Sequence, residues 1–598
     1  MTGRYEKIIR FGKSSLAKLI YSLRRFPETL LICVATVTVL IILNHGGMDS
    51  GGGPFVTLDS GEFLTRLAAA LALGVPLSLC LKLIFERGAF SKIASRVLVY
   101  IAAAGGLVLY YFYLLQDFEM VSLSRYGAVT LALYLAFTFI PYFYRRQNYE
   151  LYVIKLFISF LITYLFATVL FGGISAILAT ISYLFSAPIS SNIYFDIWLI
   201  AGGIFAPAFF LAGIPRSDED IQAESYPKVI AILLSYIVMP LILAYSAILY
   251  IYFVKILVTQ QWPDLMVSHL VLWYALISTL VLFAIYPRRS ENRWNEAFVA
   301  HFPKVILPLL AMMFAAMGIR ISAYGITENR YFVLLAGLWV TGAMLYLILS
   351  KKPRHIFLPA SLALVAVLSV FGPWSSYSLS VRSQNRHFEK IATEHNLLRE
   401  GQIAVAAGTT VPEAAQGELS SIILYFDQSH DLALLRALPE NFEIDRMEAL
   451  FGFPLRQYDF PEDEEIYFRH ALDYTKMYWD ISGYDYFVQL SSEEQSYRTG
   501  ELELAYFPEE QKLIIMQRGE TIYSQDLTAI AEEIHRENAG EEYVVSKEKM
   551  THTESTKDLE LCYTFSTIGG WEKRSADEIN IDYLELYLFV GLKGAEPQ

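Results

Sequence analysis

Hydrophobic residues run almost unbroken through eleven stretches, at 27–43, 63–84, 97–115, 127–144, 151–185, 193–212, 228–258, 266–286, 303–319, 331–349 and 356–371. Polar residues are confined to the short segments between them. A helix needs roughly 20 apolar residues to cross the hydrocarbon of a bilayer, and open, unpaired backbone is not tolerated against lipid. The pattern therefore predicts an α-helical polytopic membrane bundle of about eleven transmembrane helices over 27–372. The fifth and seventh stretches are long enough to tilt or protrude. After Gly372-Pro373-Trp374 the pattern becomes that of a water-soluble chain. Residues 386–398 and 411–426 repeat apolar positions at helical spacing, and 445–451 suggests a third helix. From Tyr484 onward a period of two takes over. Leu502, Leu504 and Tyr506 alternate with Glu501 and Glu503, and Pro508-Glu509-Glu510 turns the chain into 512–517, a predicted hairpin. Residues 524–537 read as a helix, and 559–566 and 579–592 as strands. The expected organisation is a basic segment at 1–26, the bundle, a linker at 373–385 and an acidic α+β domain at 386–598.

Charge orients this arrangement. Residues 1–26 carry Arg4, Lys7, Arg10, Lys13, Lys18, Arg24 and Arg25 against Glu6, with Ile8, Ile9, Leu16, Leu19, Ile20 and Leu23 at helical spacing. This reads as a basic amphipathic helix on the cytoplasmic leaflet. With the N-terminus inside, the inward segments hold 21 Lys and Arg, whereas the outward loops hold only Arg125, Arg320 and Arg330. That asymmetry follows the rule that cationic loops stay cytoplasmic. Eleven crossings from an inside start place the C-terminal domain outside the cytoplasm. Lys82, Lys155, Asp196 and Lys255 lie near helix ends, where charge can reach the interface, which weighs against ion-coupled transport.

Composition narrows the picture further. A chain with 55% hydrophobic residues is not an ordinary soluble protein. Residues 384–598 carry 42 Asp and Glu against 18 Lys and Arg, while the remainder carries 18 against 29. An acidic domain of this kind repels phosphate, so nucleic acid is not an expected partner. The three cysteines, Cys33, Cys80 and Cys562, leave the C-terminal domain no internal disulfide. No CxxC or HExxH is present, and no metal or cofactor is expected.

Candidate chemistry gathers in two outward loops. The first contains Asp59 and Glu62 just before a span. It is similar to the arrangement in membrane glycosyltransferases of the C-type fold, whose first external loop carries an acidic residue serving as base or metal ligand. The same residues also read as a helix start, with Asp59 or Ser60 capping and Glu62 favoured by the helix dipole. The second loop, Arg320 to Tyr331, puts two arginines on the face that usually lacks them. Arg320, Tyr324, Thr327, Glu328, Asn329 and Arg330, with Trp374 beyond the last span, are candidates for holding an anion or a polar headgroup. As a structural turn, Glu328 would pair with Arg330 or Arg320, and Thr327 would cap the next helix. Breakers at Gly172-Gly173, Gly202-Gly203 with Pro207, Pro240, and Pro303 with Pro308 mark either close packing or the discontinuous helices of a transporter. In the C-terminal domain, Tyr474, Tyr478, Trp479, Tyr484 and Tyr486 form an aromatic segment suited to core packing or to a sugar platform. Pro461-Glu462-Asp463-Glu464-Glu465 reads as a solvated charge run.

Tyr324-Gly325-Ile326-Thr327-Glu328-Asn329-Arg330-Tyr331, then Gly372-Pro373-Trp374-Ser375-Ser376-Tyr377-Ser378 with Arg382-Ser383-Gln384, and later Asp480-Ile481-Ser482-Gly483-Tyr484-Asp485-Tyr486, resemble a bacterial family of polytopic membrane proteins catalogued as a domain of unknown function, DUF4153. The resemblance implies a bacterial plasma-membrane protein and carries over no activity. The expected function is that of an envelope binding, sensing or scaffold protein. Its outer domain would recognise an envelope lipid, glycan or protein, and its bundle would sit in the lipid bilayer. The alternatives are a lipid-linked glycosyltransferase using Asp59 and Glu62, and a transporter of small molecules or lipids.

Overall fold

The computed structural model describes residues 17–593 except 47–57, 89, 91, 117, 119, 144–147, 186–188, 217–220, 222–225, 261–264, 400, 404–410, 440–441, 456–465, 474–478, 480, 492–494, 501, 509, 539–543 and 574–577. The chain forms two compact units, one of residues 1–415 and 422–454, the other of 416–421 and 455–598.

The first unit opens with helical residues 17–25 (α1), the described part of the basic N-terminal segment. Next come α2 (Pro27–Gly46), α3 (Leu58–Glu86), α4 (Ile93–Leu114), α5 (Met120–Phe139), α6 (Tyr149–Phe185), α7 (Ser191–Ile200) and α8 (Ala206–Ala212). The second half of the bundle contains α9 (Lys228–Ile232), α10 (Met239–Thr259), α11 (Leu265–Ile285), α12 (Arg293–Tyr324), α13 (Glu328–Leu349) and α14 (Phe357–Val370). Among the described residues, ten helical stretches are long and apolar enough to cross a membrane, counting α7–α8 and α9–α10 as one each. The eleventh expected span, α14, is a shorter helix of 14 residues. Two main apolar clusters run through the unit, and Ile230 and Ala284 pack against both. One is built on Leu83, Tyr152 and Leu211, the other on Ile306, Met317 and Val340.

Two of the expected helix breakers turn out to be π-helical segments, each followed by a proline. Ala201–Phe205 precedes Pro207, and Leu233–Val238 precedes Pro240. In the i→i−5 register of these segments, the missing N–H of Pro207 frees the carbonyl of Gly202, and that of Pro240 frees Ser235. A neighbouring helix supplies the substitute donor in both cases. The Tyr164 hydroxyl lies 3.5 Å from the Gly202 carbonyl, and the Trp294 indole N–H donates to Ser235 at 3.1 Å. Backbone irregularity at membrane depth is tolerated when such groups re-satisfy it.

Polar groups tie the helix ends. At the end bearing the basic loops, Arg25 forks onto both carboxylate oxygens of Glu86 at 2.9 and 2.8 Å. It also donates to the carbonyls of Ile214 and Pro215 at 2.6 and 3.2 Å. Nearby, buried His355 pairs with Glu150 between the rings of Phe283 and Tyr286. At the opposite end, Asp196 accepts from Asn44 at 2.9 Å and meets His45 at 2.6 Å.

Beyond α14 the expected linker is helical. Ser376–Glu394 forms α15, capped by the Ser375 hydroxyl, which accepts from the Ser378 N–H. The sequence 376–394 places Tyr377, Phe388 and Ile391 on one buried face, and that amphipathic repeat makes it a helix rather than a tether. The short pair β1 (Leu398–Arg399) and β2 (Gln402–Ile403) follows, then α16 (Glu413–Ser429), which contributes to both units, and α17 (Met447–Phe451).

The second unit is α+β. Its larger sheet has the order β4 (Tyr486–Leu490), β12 (Glu578–Leu592), β11 (Leu559–Lys573), β3 (Ile466–Leu472), β9 (Val544–Val545), with β10 (Thr551–Ser555) also pairing β11. β3 and β9 are parallel; the other pairs are antiparallel. β5 (Gln495–Thr499), β6 (Leu502–Phe507), β7 (Lys512–Gln517) and β8 (Glu520–Asp526) form a second sheet, a meander. The predicted hairpin is the β6–β7 pair. Residues 520–526 pair as a strand, so the helix expected from Ser524 begins later, as α18 (Thr528–Glu537). Leu504, Ile515, Ile530, Phe565 and Leu588 share one core. Gly570 is required by its packing, because a Cβ there would lie 2.1 Å from the Asn580 carbonyl oxygen.

Candidate functional site

The loop between α12 and α13 is where most of the sequence candidates converge. Its conformation depends on Gly325, which has φ +71°, a region that favours glycine. A Cβ at this position would also come within 3.0 Å of the Gln384 amide nitrogen. α15 staples the loop from there. Gln384 donates to the carbonyls of Tyr324 and Ile326, each at 3.1 Å, and the Ser383 hydroxyl accepts from the Ile326 N–H at 2.8 Å. Arg330 donates to the Gly325 carbonyl at 2.7 Å and to that of Tyr324 at 3.2 Å, with its guanidinium over the Tyr324 ring.

Glu328, the first residue of α13, is 2% exposed. The Tyr425 hydroxyl of α16 lies 2.7 Å from each of its carboxylate oxygens, and His430 Nε2 lies 2.9 Å from Oε1. His430 Nε2 is also 2.9 Å from the Tyr425 hydroxyl, and the Tyr377 ring of α15 meets its imidazole edge-on. The expected pairing of Glu328 with Arg320 or Arg330 is thus replaced: His430 and Tyr425 fill the carboxylate, while Arg330 caps backbone carbonyls. The helix N-terminus favours a carboxylate at this position. Burial, followed by the charge of Glu328, pushes the Tyr425 phenol well above its ordinary range, so it remains a donor. In the sequence His430 is followed by Asp431, a polar pair that matches no catalytic pattern. Nothing in the local pattern linked it to a glutamate 102 residues earlier.

The remaining candidates lie around this centre or away from it. Thr327 occupies the N-cap position of α13, but its hydroxyl makes no cap bond; its carbonyl accepts from the Tyr331 N–H at 2.9 Å. Arg320 is half-buried and Asn329 exposed. Trp374 is 53% exposed, and its carbonyl accepts from the Tyr331 hydroxyl at 2.9 Å. Of the candidates near the start of α3, Asp59 falls in its first turn, with its side chain outside the described residues. Glu62 is exposed and lies 3.7 Å from Arg66 one turn on, in a helix-surface ion pair. Asp59 and Glu62 therefore sit on a helix rather than in a loop. The run at 461–465, Tyr474 and Tyr478 lie outside the described residues. Trp479 and Tyr484 pack on Phe589, and Trp479 and Phe487 on Tyr587, with Lys547 over the Trp479 ring. Among the described residues no cluster of three or more His, Cys, Asp or Glu is arranged to hold a metal ion.

A sealed carboxylate, phenol and imidazole fix the start of α13 against the end of α16. With side chains only 2–3% exposed, Glu328 and His430 offer a substrate no approach.

No solved structure matches the chain. It is 26% identical over 227 residues to the uncharacterized protein PM1469 of Pasteurella multocida (strain Pm70), an alignment covering 38% of this chain and 39% of that protein. The chain's match thus spans well under half the length of that relative. The model of the domain of unknown function DUF4153 matches residues 25–404, the whole bundle together with α15 and the first strands after it. The chain is a multi-pass membrane protein and belongs to the DUF4153 family.

Proposed function

We propose that the protein is a bacterial plasma-membrane binding and sensing protein, with its N-terminus in the cytoplasm and the residues after α14 outside it. The orientation rests on α14 completing an odd number of crossings. The ties at its ends support that reading. At one end Arg354 is bonded to Tyr346, near the C-terminus of α13. At the other, the Trp374 carbonyl is bonded to Tyr331, near the N-terminus of α13, and Arg125 of α5 lies over the Phe371 ring. Residues 354–374 therefore cover the depth covered by α13, although the regular helix within them would rise only about 21 Å.

The observation that carries the functional reading is the sealed Glu328–Tyr425–His430 joint. It fastens the helices after the bundle to a loop of the bundle itself, so displacement of one is resisted by the other. A sensor needs that rigidity, whereas an enzyme would need the same groups open to substrate. In the C-terminal domain, the aromatic group around Phe487, itself 53% exposed, is the surface suited to an envelope glycan.

Two measurements test the reading. In full-length protein with the three native cysteines replaced by alanine, Lys390→Cys should react with a membrane-impermeant maleimide in intact cells. Reaction only after lysis would reverse the orientation. Hydrogen exchange of the reconstituted protein, with and without soluble peptidoglycan fragments or neutral envelope polysaccharide, should show protection at 484–490 and 584–590. If every such fraction leaves exchange unchanged, the binding reading fails.

A further inference from the structure

A cavity of about 290 Å³ lies in the first half of the bundle, walled by α2, α3, α5, α6 and α8. No charged side chain lines it. The polar groups on its wall are hydroxyls, and three of the four are already engaged within the protein: Thr29 with Ser78 at 2.9 Å, Thr138 with the Leu135 carbonyl at 2.7 Å, and Tyr164 near the freed Gly202 carbonyl. Such a site has little to offer water or an ion and suits an apolar occupant.

Its depth indicates the occupant. On α6 the lining runs from Val153 to Tyr164, about 16 Å at helical rise. Thr29, Thr138, Val153 and Leu211 all lie close to the helix ends that bear the basic loops, and Tyr164 lies toward the middle of the span. The cavity thus extends roughly one leaflet of a hydrocarbon core about 30 Å thick. Its volume holds about ten groups of water size at roughly 30 Å³ each, and a methylene is comparable. The wall is open to the side, because Phe157 and Phe160 are 58% and 42% exposed. Pro207, just past the π-helical Ala201–Phe205, lines the cavity, and irregular backbone of this kind is found where membrane helices border a site.

We propose that this cavity is a binding slot for one acyl chain of a bilayer phospholipid, entering laterally past Phe157 and Phe160 from the leaflet at the basic end. The inference is independent of the orientation and sensing roles given above.

The test uses the full-length protein in nanodiscs containing phosphatidylglycerol with a diazirine on one acyl chain. After photolysis, adducts should concentrate on residues 134–138 and 153–164. Equal labelling of lipid-exposed α10 positions such as Leu241, Ile248 and Ile251 would overturn the proposal. Val153→Trp, which fills the slot, should lose the adducts at both segments while those on α10 persist; retention would also overturn it. The wild-type adduct map decides the question even if that variant fails to fold, and Thr138→Phe is a second filling variant. A diazirine-bearing free fatty acid is the companion probe. Labelling of the slot by that probe and not by the phospholipid would refute the assignment to a bilayer lipid.

Discussion

Glu328→Ala is the perturbation that most directly examines how the bundle is fastened to the helices after it. The carboxylate takes hydrogen bonds from two partners, with contacts of 2.7–2.9 Å, in a site where it is 2% exposed. Removing it takes the carboxylate acceptor from the Tyr425 hydroxyl and the His430 imidazole, away from water, and leaves them the 2.9 Å contact with each other. Taking the acceptor from a buried donor costs about 1–3 kcal/mol, and the loss in Glu328→Ala should be of that order. Glu328→Gln keeps an acceptor for Tyr425 and should cost roughly half as much. Replacing all three groups together, as Glu328→Leu, Tyr425→Phe and His430→Leu, strands nothing and should fall within about 2 kcal/mol of the parent. Cys33 and Cys80 are buried in the bundle and report its opening to a thiol-reactive dye in a Cys562→Ser background. Denaturant titration in detergent then gives the four stabilities. A Glu328→Ala loss below about 1 kcal/mol, or a triple variant less stable than the single one, would refute the reasoning.

The other predictions use the same kinds of contact. Arg25→Lys cannot fork onto Glu86 while holding the Ile214 and Pro215 carbonyls, so it should recover only part of the roughly 3–5 kcal/mol lost in Arg25→Ala, measured with the same thiol assay. Gly203→Ala puts a Cβ 2.4 Å from Val37 Cγ2 and should destabilise the bundle by about 1–3 kcal/mol, with Val37→Ala restoring most of the loss; an additive double variant would disprove the clash. Burial pushes Tyr506 up to about 12 and raises Tyr523 and Tyr563 still further. Their protonated forms are favoured in the fold, so stability is intact below the unfolded value near 10. Above it, each loses about 1.4 kcal/mol per pH unit until its folded value is reached. Urea midpoints read by limited proteolysis of the C-terminal domain should therefore hold from pH 8 to 10 and fall steeply by pH 11.

Periodicity made the bundle legible because lipid allows so few backbone solutions, and each long apolar run is indeed a helix. The β6–β7 hairpin was legible from alternation around one turn. Residues 373–385 were misread because Gly372-Pro373 is strong punctuation, whereas Ser375, two residues later, restarts a helix by capping it. The breakers at Pro207 and Pro240 were visible, but their remedy was not. Tyr164 and Trp294 are ordinary aromatic residues in sequence and become carbonyl donors only through packing. Glu328 stood out in the sequence as a polar candidate but was assigned to the nearest arginines. The contact that matters spans about a hundred residues, and charge pattern cannot see that far.

The placement of polar chemistry also bears on the interior. Between lipid-embedded helices there is no hydrophobic drive to associate. Register must then come from packing and from polar ties such as Arg25–Glu86 and Glu150–His355 at one end and Asn44–Asp196 and Glu328–His430 at the other. Those ties hold the ends without requiring the middle to be filled. In a water-soluble core, a volume of 290 Å³ left without contacts would cost about 7 kcal/mol at roughly 24 cal/mol per Å³. That is comparable to the whole stability of many domains, about 5–15 kcal/mol. A bundle pinned at its rims and open at its side can keep such a slot because a lipid chain restores the missing contacts. Sealing the slot should therefore cost the protein its lipid chain without loosening the end ties, and these two outcomes are separately measurable.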